Sequence, residues 1–268
     1  MTVLFLILPV LLFIYFFSTC CRRGHPEIKN LQGWKYAHRG LHDENAPENS
    51  MMAFRKARDM GYGVELDVHL LADGNLAVIH DSRLKRMTSL DGKIEDLTTE
   101  QLESCRLCCT EETIPEFRQV LDLYNGRAPI IVELKVSGNN YAELCRKACK
   151  MLDNYKGVYC MESFDPRCVW WLKKNRPNVI RGQLTENYFK RNSKLPVVLK
   201  FLLTHQMLNF VTKPDFVAYR YEDCATFSYW ITRKLWKVPG VAWTIVNRED
   251  YDRAVAAGLI PIFENFLP

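Results

Sequence analysis

The chain has 268 residues, of which 48% are hydrophobic and 25% are charged. A chain of this size can build one large core, whereas a second full domain is not expected. The formal net charge of +5 comes from scattered Lys and Arg residues without a long basic run, so no nucleic-acid partner is expected.

The N-terminal segment is the most apolar part of the sequence. Val3 to Phe17 carries no charge, and Ser18 to Cys21 can lengthen the run towards the roughly 20 residues that a transmembrane helix needs. No basic residue precedes the run, while Arg22 and Arg23 follow it, which favours a cytoplasmic position for the rest of the chain. We therefore predict a single-pass transmembrane anchor over residues 1–21, a linker over residues 22–33, a membrane location with a cytoplasmic catalytic domain, and the lipid bilayer as a partner.

Nine strand-like runs follow, and helix-like segments separate most of them, which is typical of a parallel α/β sheet. The runs are Lys35 to His38, Val64 to Leu70, Leu76 to His80, Pro129 to Lys135, Val158 to Phe164, Val179 to Leu184, Phe216 to Tyr219, Val241 to Val246 and Ile260 to Phe263. Asp73-Gly74 lies between the second and third runs and predicts a tight antiparallel hairpin, which leaves eight strands. We predict a TIM-type (β/α)8 barrel over residues 34–268, with a small insertion at about 82–125 after the hairpin.

Charged residues gather towards the C-terminal ends of the first strands, where the active sites of parallel barrels lie. Carboxylates that are two residues apart on a strand point to the same side, and buried carboxylates are costly unless they are paired or bind a metal. Three converging carboxylates therefore predict a divalent cation with oxygen ligands, Mg²⁺ or Ca²⁺. The residues concerned are His38, Arg39, Glu65, Asp67, His80, Glu133 and Lys135.

The basic members of this group suit a phosphodiester. Arg39 and Lys135 supply fixed positive charge for a phosphate. His38 and His80 lie on different elements, so one imidazole can accept a proton from the attacking hydroxyl while the other donates one to the leaving oxygen. The pattern predicts phosphodiester cleavage.

Five motifs in order resemble the signature of the glycerophosphodiester phosphodiesterase family. They are His38-Arg39-Gly40, Pro47-Glu48-Asn49-Ser50, Glu65-Leu66-Asp67, His80-Asp81 and Glu133-Leu134-Lys135, and the similarity continues through Ser163-Phe164-Asp165 and Trp243-Thr244. The resemblance implies hydrolysis of a glycerophosphodiester or a lysophospholipid to glycerol phosphate and an alcohol. It also implies a cyclic phosphate on the way, formed by attack of the glycerol 2-hydroxyl and opened by water.

The resemblance implies a role for each matching residue. Glu65, Asp67 and Glu133 would bind the metal, His38 and His80 would act as general base and acid, Arg39 and Lys135 would hold the phosphate, and Phe164 and Trp243 would line the substrate pocket. The last strand departs from the family, because Phe263-Glu264-Asn265-Phe266 stands where Thr-Asp-x-Pro is frequent. We expect this departure to bear on substrate choice.

Two other functions compete with this interpretation. A phospholipase C of the phosphoinositide type would stop at the cyclic product, whereas a catalytically silent, membrane-tethered binding module would have lost a ligand or a histidine that this chain retains. The apolar stretch Leu195 to Phe210 also has two interpretations. It is either a barrel helix with its inner face on the sheet or an interfacial element that receives lipid substrates from a bilayer.

Overall fold

The computed structural model describes residues 2–268, with side chains described from residue 7 onward, and its strands form one sheet. The strands are β1 (Tyr36–His38), β2 (Gly63–Leu70), β3 (Leu76–Val78), β4 (Ile130–Leu134), β5 (Tyr159–Ser163), β6 (Arg181–Thr185), β7 (Phe216–Arg220), β8 (Gly240–Ile245) and β9 (Leu259–Phe263). Strand β1 pairs in parallel with both β2 and β9, and this pairing closes the sheet into a barrel. Strand β3 pairs antiparallel with β2 outside the barrel. The predicted eight-stranded barrel and its hairpin are confirmed.

Helices connect the strands and cover the outside of the barrel. They are α1 (Thr2–Ser18), α2 (Met51–Asp59), α3 (Thr99–Leu102), α4 (Phe117–Tyr124), α5 (Tyr141–Leu152), α6 (Pro166–Asn175), α7 (Val197–Thr204), α8 (Asn209–Thr212), α9 (Phe227–Trp230) and α10 (Arg248–Ala256). Single 3₁₀ turns occur at Ile28–Leu31, Leu84–Arg86, Ile94–Asp96 and Tyr221–Asp223, and a π-helical turn continues α9 over Ile231–Leu235.

Side chains along the strands alternate between the outer and the inner face of the barrel. On β2, Val64, Leu66 and Val68 belong to a buried apolar cluster that β2 and β4 share with helices α4, α5 and α6. The intervening Glu65 and Asp67 are also buried but lie outside that cluster, so they face the barrel interior. The apolar outer face is what holds these carboxylates inside.

The segment between β3 and β4 has a small apolar core of its own. Its buried side chains pack with Leu71, Ala77 and Ile79 of the hairpin, and they include Leu84, Met87, Ile94, Leu102, Cys105, Leu107 and Ile114. The short helices of this segment are therefore fixed to the hairpin, beside the C-terminal end of β2. This position puts the insertion next to the first charged strands.

Helix α1 does not reach the length that the sequence analysis assigned to the N-terminal segment. It has 17 residues, which correspond to roughly 25 Å, and it ends at Ser18, so Thr19 to Cys21 do not extend it. Cys21 is buried against the barrel, and Thr19 accepts a hydrogen bond of 3.1 Å from the indole of Trp236. Among the described residues, no helix combines the length and the apolar character that crossing a membrane requires. The predicted transmembrane anchor, and the membrane location with a cytoplasmic catalytic domain inferred from it, are therefore wrong.

The segment that the sequence analysis treats as a linker packs against the N-terminal ends of the strands. The guanidinium of Arg22 donates two hydrogen bonds to Asp215, a residue that is 3% exposed and precedes β7. The ring of His25 contacts the carbonyl of Asn178 at 3.1 Å, and Leu31 is completely enclosed. The segment thus closes the end of the barrel opposite to the charged strand ends.

Removing Arg22 tests this closure. We expect Arg22→Ala to lower the free energy of unfolding by about 1–3 kcal/mol, because the buried carboxylate of Asp215 loses two charge-assisted hydrogen bonds. Urea denaturation followed by circular dichroism measures the change. The control is Arg23→Ala, which removes the same charge from an exposed neighbour. Equal stability of the two variants would show that the contact does not hold the segment.

Candidate active site

The loop after β1 folds back over the start of β2. Arg39 has the left-handed backbone conformation, with φ of 57°; its N–H donates to the carbonyl of Glu65 at 2.9 Å, and its own carbonyl accepts from the N–H of Asn49. Gly40 follows with φ of 83°, and a Cβ there would lie 2.8 Å from the carbonyl carbon of Ala53. Only glycine fits this close approach without strain. The loop therefore brings Arg39 to the acidic side chains of β2.

Three carboxylates from two neighbouring strands meet inside the barrel. One oxygen each from Glu65, Asp67 and Glu133 lies within 4.8 Å of the others, and all three residues are buried. The parallel register places Asp67 directly beside Glu133, while Glu65 lies two residues earlier on the same face of β2. The predicted ligand set is thus assembled by the alternation and the register of the strands.

The donor atoms of this cluster suit a divalent cation. Oε2 of Glu65 is buried and has no hydrogen-bond donor among the described residues, and the nearest imidazole nitrogen, Nε2 of His38, lies 3.8 Å away. Burial, together with the charges of Asp67 and Glu133, raises the pKa of Glu65 well above its usual range. Burial also raises the pKa of Glu133, to about 7. Because these carboxylates lie close together, ionising all of them costs free energy. A divalent metal ion held between them would compensate for their negative charge.

Two cations contact the cluster. Nζ of Lys135 lies 2.8 Å from Glu133 and 3.1 Å from Asp67, and Nε of Arg39 lies 3.4 Å from Asp67. Burial opposes ionisation of Asp67, but the positive charges of Lys135 and Arg39 and a hydrogen bond from Asn49 outweigh it and hold the pKa of Asp67 well below its usual range. Asp67 is therefore the member of the cluster that is ionised most readily.

Each of the two predicted catalytic histidines has a carboxylate at its Nδ1 atom. His38 Nδ1 lies 2.5 Å from Glu264, and His80 Nδ1 lies 2.6 Å from Asp81. An ionised carboxylate only accepts hydrogen bonds, so Nδ1 of each ring carries a proton, and Nε2 accepts a proton when the ring is neutral and donates one when the ring is an imidazolium. Burial lowers the pKa of both rings, that of His80 to about 4. Both imidazoles are thus oriented in the same tautomer.

A cavity of about 1070 Å³ joins these groups. His38, Arg39, His80 and Lys135 line one end of it, and the predicted pocket residues Phe164 and Trp243 line its wall, with their rings 5.4 Å apart and perpendicular. The structure therefore brings the predicted basic and aromatic residues to one cavity, with the carboxylates enclosed beneath it.

One side of the cavity is apolar. Leu195, Leu199 and Leu203 line it at the four-residue spacing of a helix face, whereas Val197 and Val198 on the other face of α7 are 70% and 71% exposed. The inner face of α7 thus contacts the cavity. The alternative interpretation of this stretch as an interfacial element, with the bilayer as partner, stays a prediction.

Sequence reasoning missed several polar residues of the site. Glu162 on β5 is 1% exposed and pairs in register with Glu133, so it adds a fourth carboxylate to the interior. Its signal was a single acidic residue within the apolar run Val158 to Phe164. Glu264, which in the sequence stands out only as a departure from the family pattern, contacts His38 directly. Asn49, which was quoted within a motif, donates to Asp67 at 2.9 Å.

Comparisons with known proteins agree with this geometry. The model of the glycerophosphoryl diester phosphodiesterase family matches residues 38–267. A glycerophosphodiester phosphodiesterase of Bacillus altitudinis is 38% identical over 130 residues, which are 45% of this chain and 53% of that relative. Another, from Caldanaerobacter subterraneus subsp. tengcongensis, is 28% identical over 83% of this chain and 90% of its own length.

A solved structure has the same fold. The phosphodiesterase of Oleispira antarctica, determined in complex with its product sn-glycerol-3-phosphate, superposes with a TM-score of 0.71 at 21% identity, over 86% of this chain and 92% of the other. The matched residues cover nearly the whole barrel, including every residue of the predicted site. The chain therefore belongs to the glycerophosphoryl diester phosphodiesterase family of phosphoric diester hydrolases.

Proposed function

We propose that this chain hydrolyses glycerophosphodiesters to glycerol phosphate and an alcohol, with a divalent cation, Mg²⁺ or Ca²⁺, held by Glu65, Asp67 and Glu133. The observation that carries the proposal is the convergence of these three buried carboxylates below a cavity lined by two histidines. When bound, the cation polarises the phosphoryl oxygens and offsets their charge. Arg39 and Lys135, which line the same cavity, hold the phosphate.

The two histidines exchange protons with the reacting oxygens. In the first step, Nε2 of His38 takes the proton of the glycerol 2-hydroxyl as that oxygen attacks phosphorus, and His80, which begins the step as the imidazolium, gives its Nε2 proton to the departing alcohol. In the second step, water attacks the cyclic phosphate and loses its proton to His80, while His38 returns a proton to the 2-oxygen. The carboxylates of Glu264 and Asp81 support both steps, because they keep each ring in one tautomer.

The substrate class of this proposal includes acylated glycerophosphodiesters, that is, lysophospholipids. The support is the apolar wall of the cavity, where Leu195, Leu199 and Leu203 follow one face of the chain before and along α7. An acyl chain of a substrate whose phosphate lies at Arg39 and Lys135 would bury apolar surface against these side chains. Water-soluble diesters would bind to the polar end alone.

The deciding assay incubates the purified protein with glycerophosphocholine or a lysophosphatidylcholine, in Mg²⁺, Ca²⁺ or chelator, and identifies the products by mass. Glycerol phosphate or its acylated form is the expected product. A cyclic phosphate that persists would favour the phospholipase C alternative. Binding without any turnover in either ion would favour the silent binding module.

Replacing the proposed base tests the catalytic roles. We expect His38→Ala to lower kcat on glycerophosphocholine by at least about a hundredfold, because proton transfer to Nε2 is lost. The control is His205→Asn, whose ring lies outside the cavity and contacts Tyr15. Circular dichroism checks that both variants fold. Turnover near the wild-type level in His38→Ala would refute the assignment.

Thermal denaturation tests the metal ligands without reference to activity. In chelator, we expect Glu133→Gln to be at least as stable as the wild type, because one of the mutually repelling carboxylates is gone. Added Mg²⁺ or Ca²⁺ should raise the Tm of the wild type and have little effect on that of Glu133→Gln. Equal ion-induced shifts in the two proteins would exclude Glu133 as a ligand.

Leu199 tests the acyl-binding wall. We expect Leu199→Ser to lower kcat/KM on a long-chain lysophosphatidylcholine by roughly 10- to 100-fold, because burial of an apolar side chain against the acyl chain is worth about 1.5–3 kcal/mol. Glycerophosphocholine, which has no acyl chain, should be hydrolysed as by the wild type. The control Val198→Ser changes the exposed face of the same helix. Parallel losses on both substrates would count against an acyl site.

A further inference from the structure

The guanidinium of Arg86 connects two separate parts of the active site. Nη1 and Nη2 of Arg86 donate to the two oxygens of Glu48 at 2.9 and 2.6 Å, and Nε donates to Oδ2 of Asp81. Such a fork-like contact fixes the orientation of a carboxylate, which a single ammonium nitrogen cannot do. Arg86 therefore sets the position of Glu48 relative to Asp81.

Each of the two carboxylates continues to a residue of the cavity. Oδ1 of Asp81 lies 2.6 Å from Nδ1 of His80, and Oε1 of Glu48 accepts from Nη1 of Arg39 at 2.8 Å. His80 and Arg39 line the cavity, whereas Arg86 and its two carboxylate partners do not. The contacts thus run from one guanidinium to a proposed proton donor and to a proposed phosphate ligand.

The insertion holds Arg86 in place. Arg86 ends the 3₁₀ turn Leu84–Arg86, and the flanking Leu84 and Met87 are buried in the small core of the insertion. The backbone N–H of Cys108 donates to the carbonyl of Met87 at 2.7 Å, which fixes the turn from a second side. The apolar contacts of the insertion therefore determine where the guanidinium lies.

We propose that Arg86 is a positioning residue that fixes the ring of His80 and the guanidinium of Arg39 relative to each other through Asp81 and Glu48. This inference rests on the proposed phosphodiesterase function and adds a role for the insertion. The side chain of Arg86 is 46% exposed, whereas that of Glu48 is only 15% exposed. The ion pair between them is therefore partly screened from water on the side of Glu48. Without Arg86, the carboxylates of Asp81 and Glu48 are no longer held by the same side chain. The ring of His80 and the guanidinium of Arg39 are then no longer fixed relative to each other.

The first measurement compares kcat on two substrates that differ in leaving group, and so separates the contacts of Arg86 through Asp81 to His80 from those through Glu48 to Arg39. Departure of choline oxygen needs a proton from His80, whereas a p-nitrophenolate leaves without one, so only the first substrate depends on the contacts through Asp81. We expect Arg86→Gln to lower kcat on glycerophosphocholine by roughly 10- to 100-fold. The fold loss of kcat on glycerol 3-(p-nitrophenyl phosphate) should be about one tenth as large. Arg83→Gln, an exposed arginine three residues earlier, is the matched control.

The second measurement does not require turnover. In the NMR spectrum of protein labelled with ¹⁵N-histidine, the Nδ1 proton of His80 should give a signal, which is assigned by its disappearance in His80→Gln. We expect Arg86→Gln to shift or broaden this signal and Arg83→Gln to leave it unchanged. Equal losses of kcat on the two substrates, or an unchanged His80 signal in Arg86→Gln, would overturn the inference. If the wild type hydrolyses neither substrate, the proposed function fails, while the histidine signal still decides for or against the role of Arg86.

Discussion

Burial of negative charge inside the barrel is the constraint on which the rest of the site depends. Glu65, Asp67, Glu133 and Glu162 all lie at the C-terminal end of the interior, and each is at most 7% exposed. Lys135 and Arg39 contact this layer, so two negative charges would remain uncompensated if every carboxylate were ionised. Burial, together with the charges of the neighbouring carboxylates, raises the pKa values of Glu65, Glu133 and Glu162, and a divalent cation would offset this excess of negative charge.

The apolar exterior of the barrel is what keeps such a layer together. Val64, Leu66 and Val68 pack outward against the helices, so a rotation of β2 that exposed its carboxylates would also expose these three side chains. Strand β2 is hydrogen-bonded to β1 on one side and to β4 and β3 on the other, so a shift of its register would break pairing on both sides. The free energy of packing therefore maintains a charge arrangement that is unfavourable by itself, as is usual where binding sites are preorganised.

The sequence predicts the features that depend on residues close together in the chain. It does not predict the contacts between residues that are far apart in the chain. The alternation in Glu65-Leu66-Asp67 and the Asp73-Gly74 turn are local patterns, so the strands, the hairpin and the carboxylates of β2 could be predicted. Glu162 joins the site because β4 and β5 pair in one register, and a single sequence does not contain that register. Hydropathy also shows that a segment is apolar but not at which residue its helix ends. The predicted anchor over residues 1–21 is therefore longer than helix α1, which ends at Ser18.

The two histidines share one device but differ in their surroundings. Glu264 contacts both His38, at 2.5 Å, and His42, at 3.5 Å, so each of its two oxygens faces a different imidazole ring. Asp81 contacts one ring and is held from outside by Arg86. The side chain of His38 is 12% exposed and that of His80 is 33% exposed, so His80 has the readier access to solvent protons. In the proposed second step His80 takes a proton from the attacking water, which reaches a more exposed ring more easily, whereas a base beside the 2-hydroxyl works better when water is kept away. This difference in exposure favours His80 as the acid and His38 as the base, although both rings have a carboxylate at Nδ1.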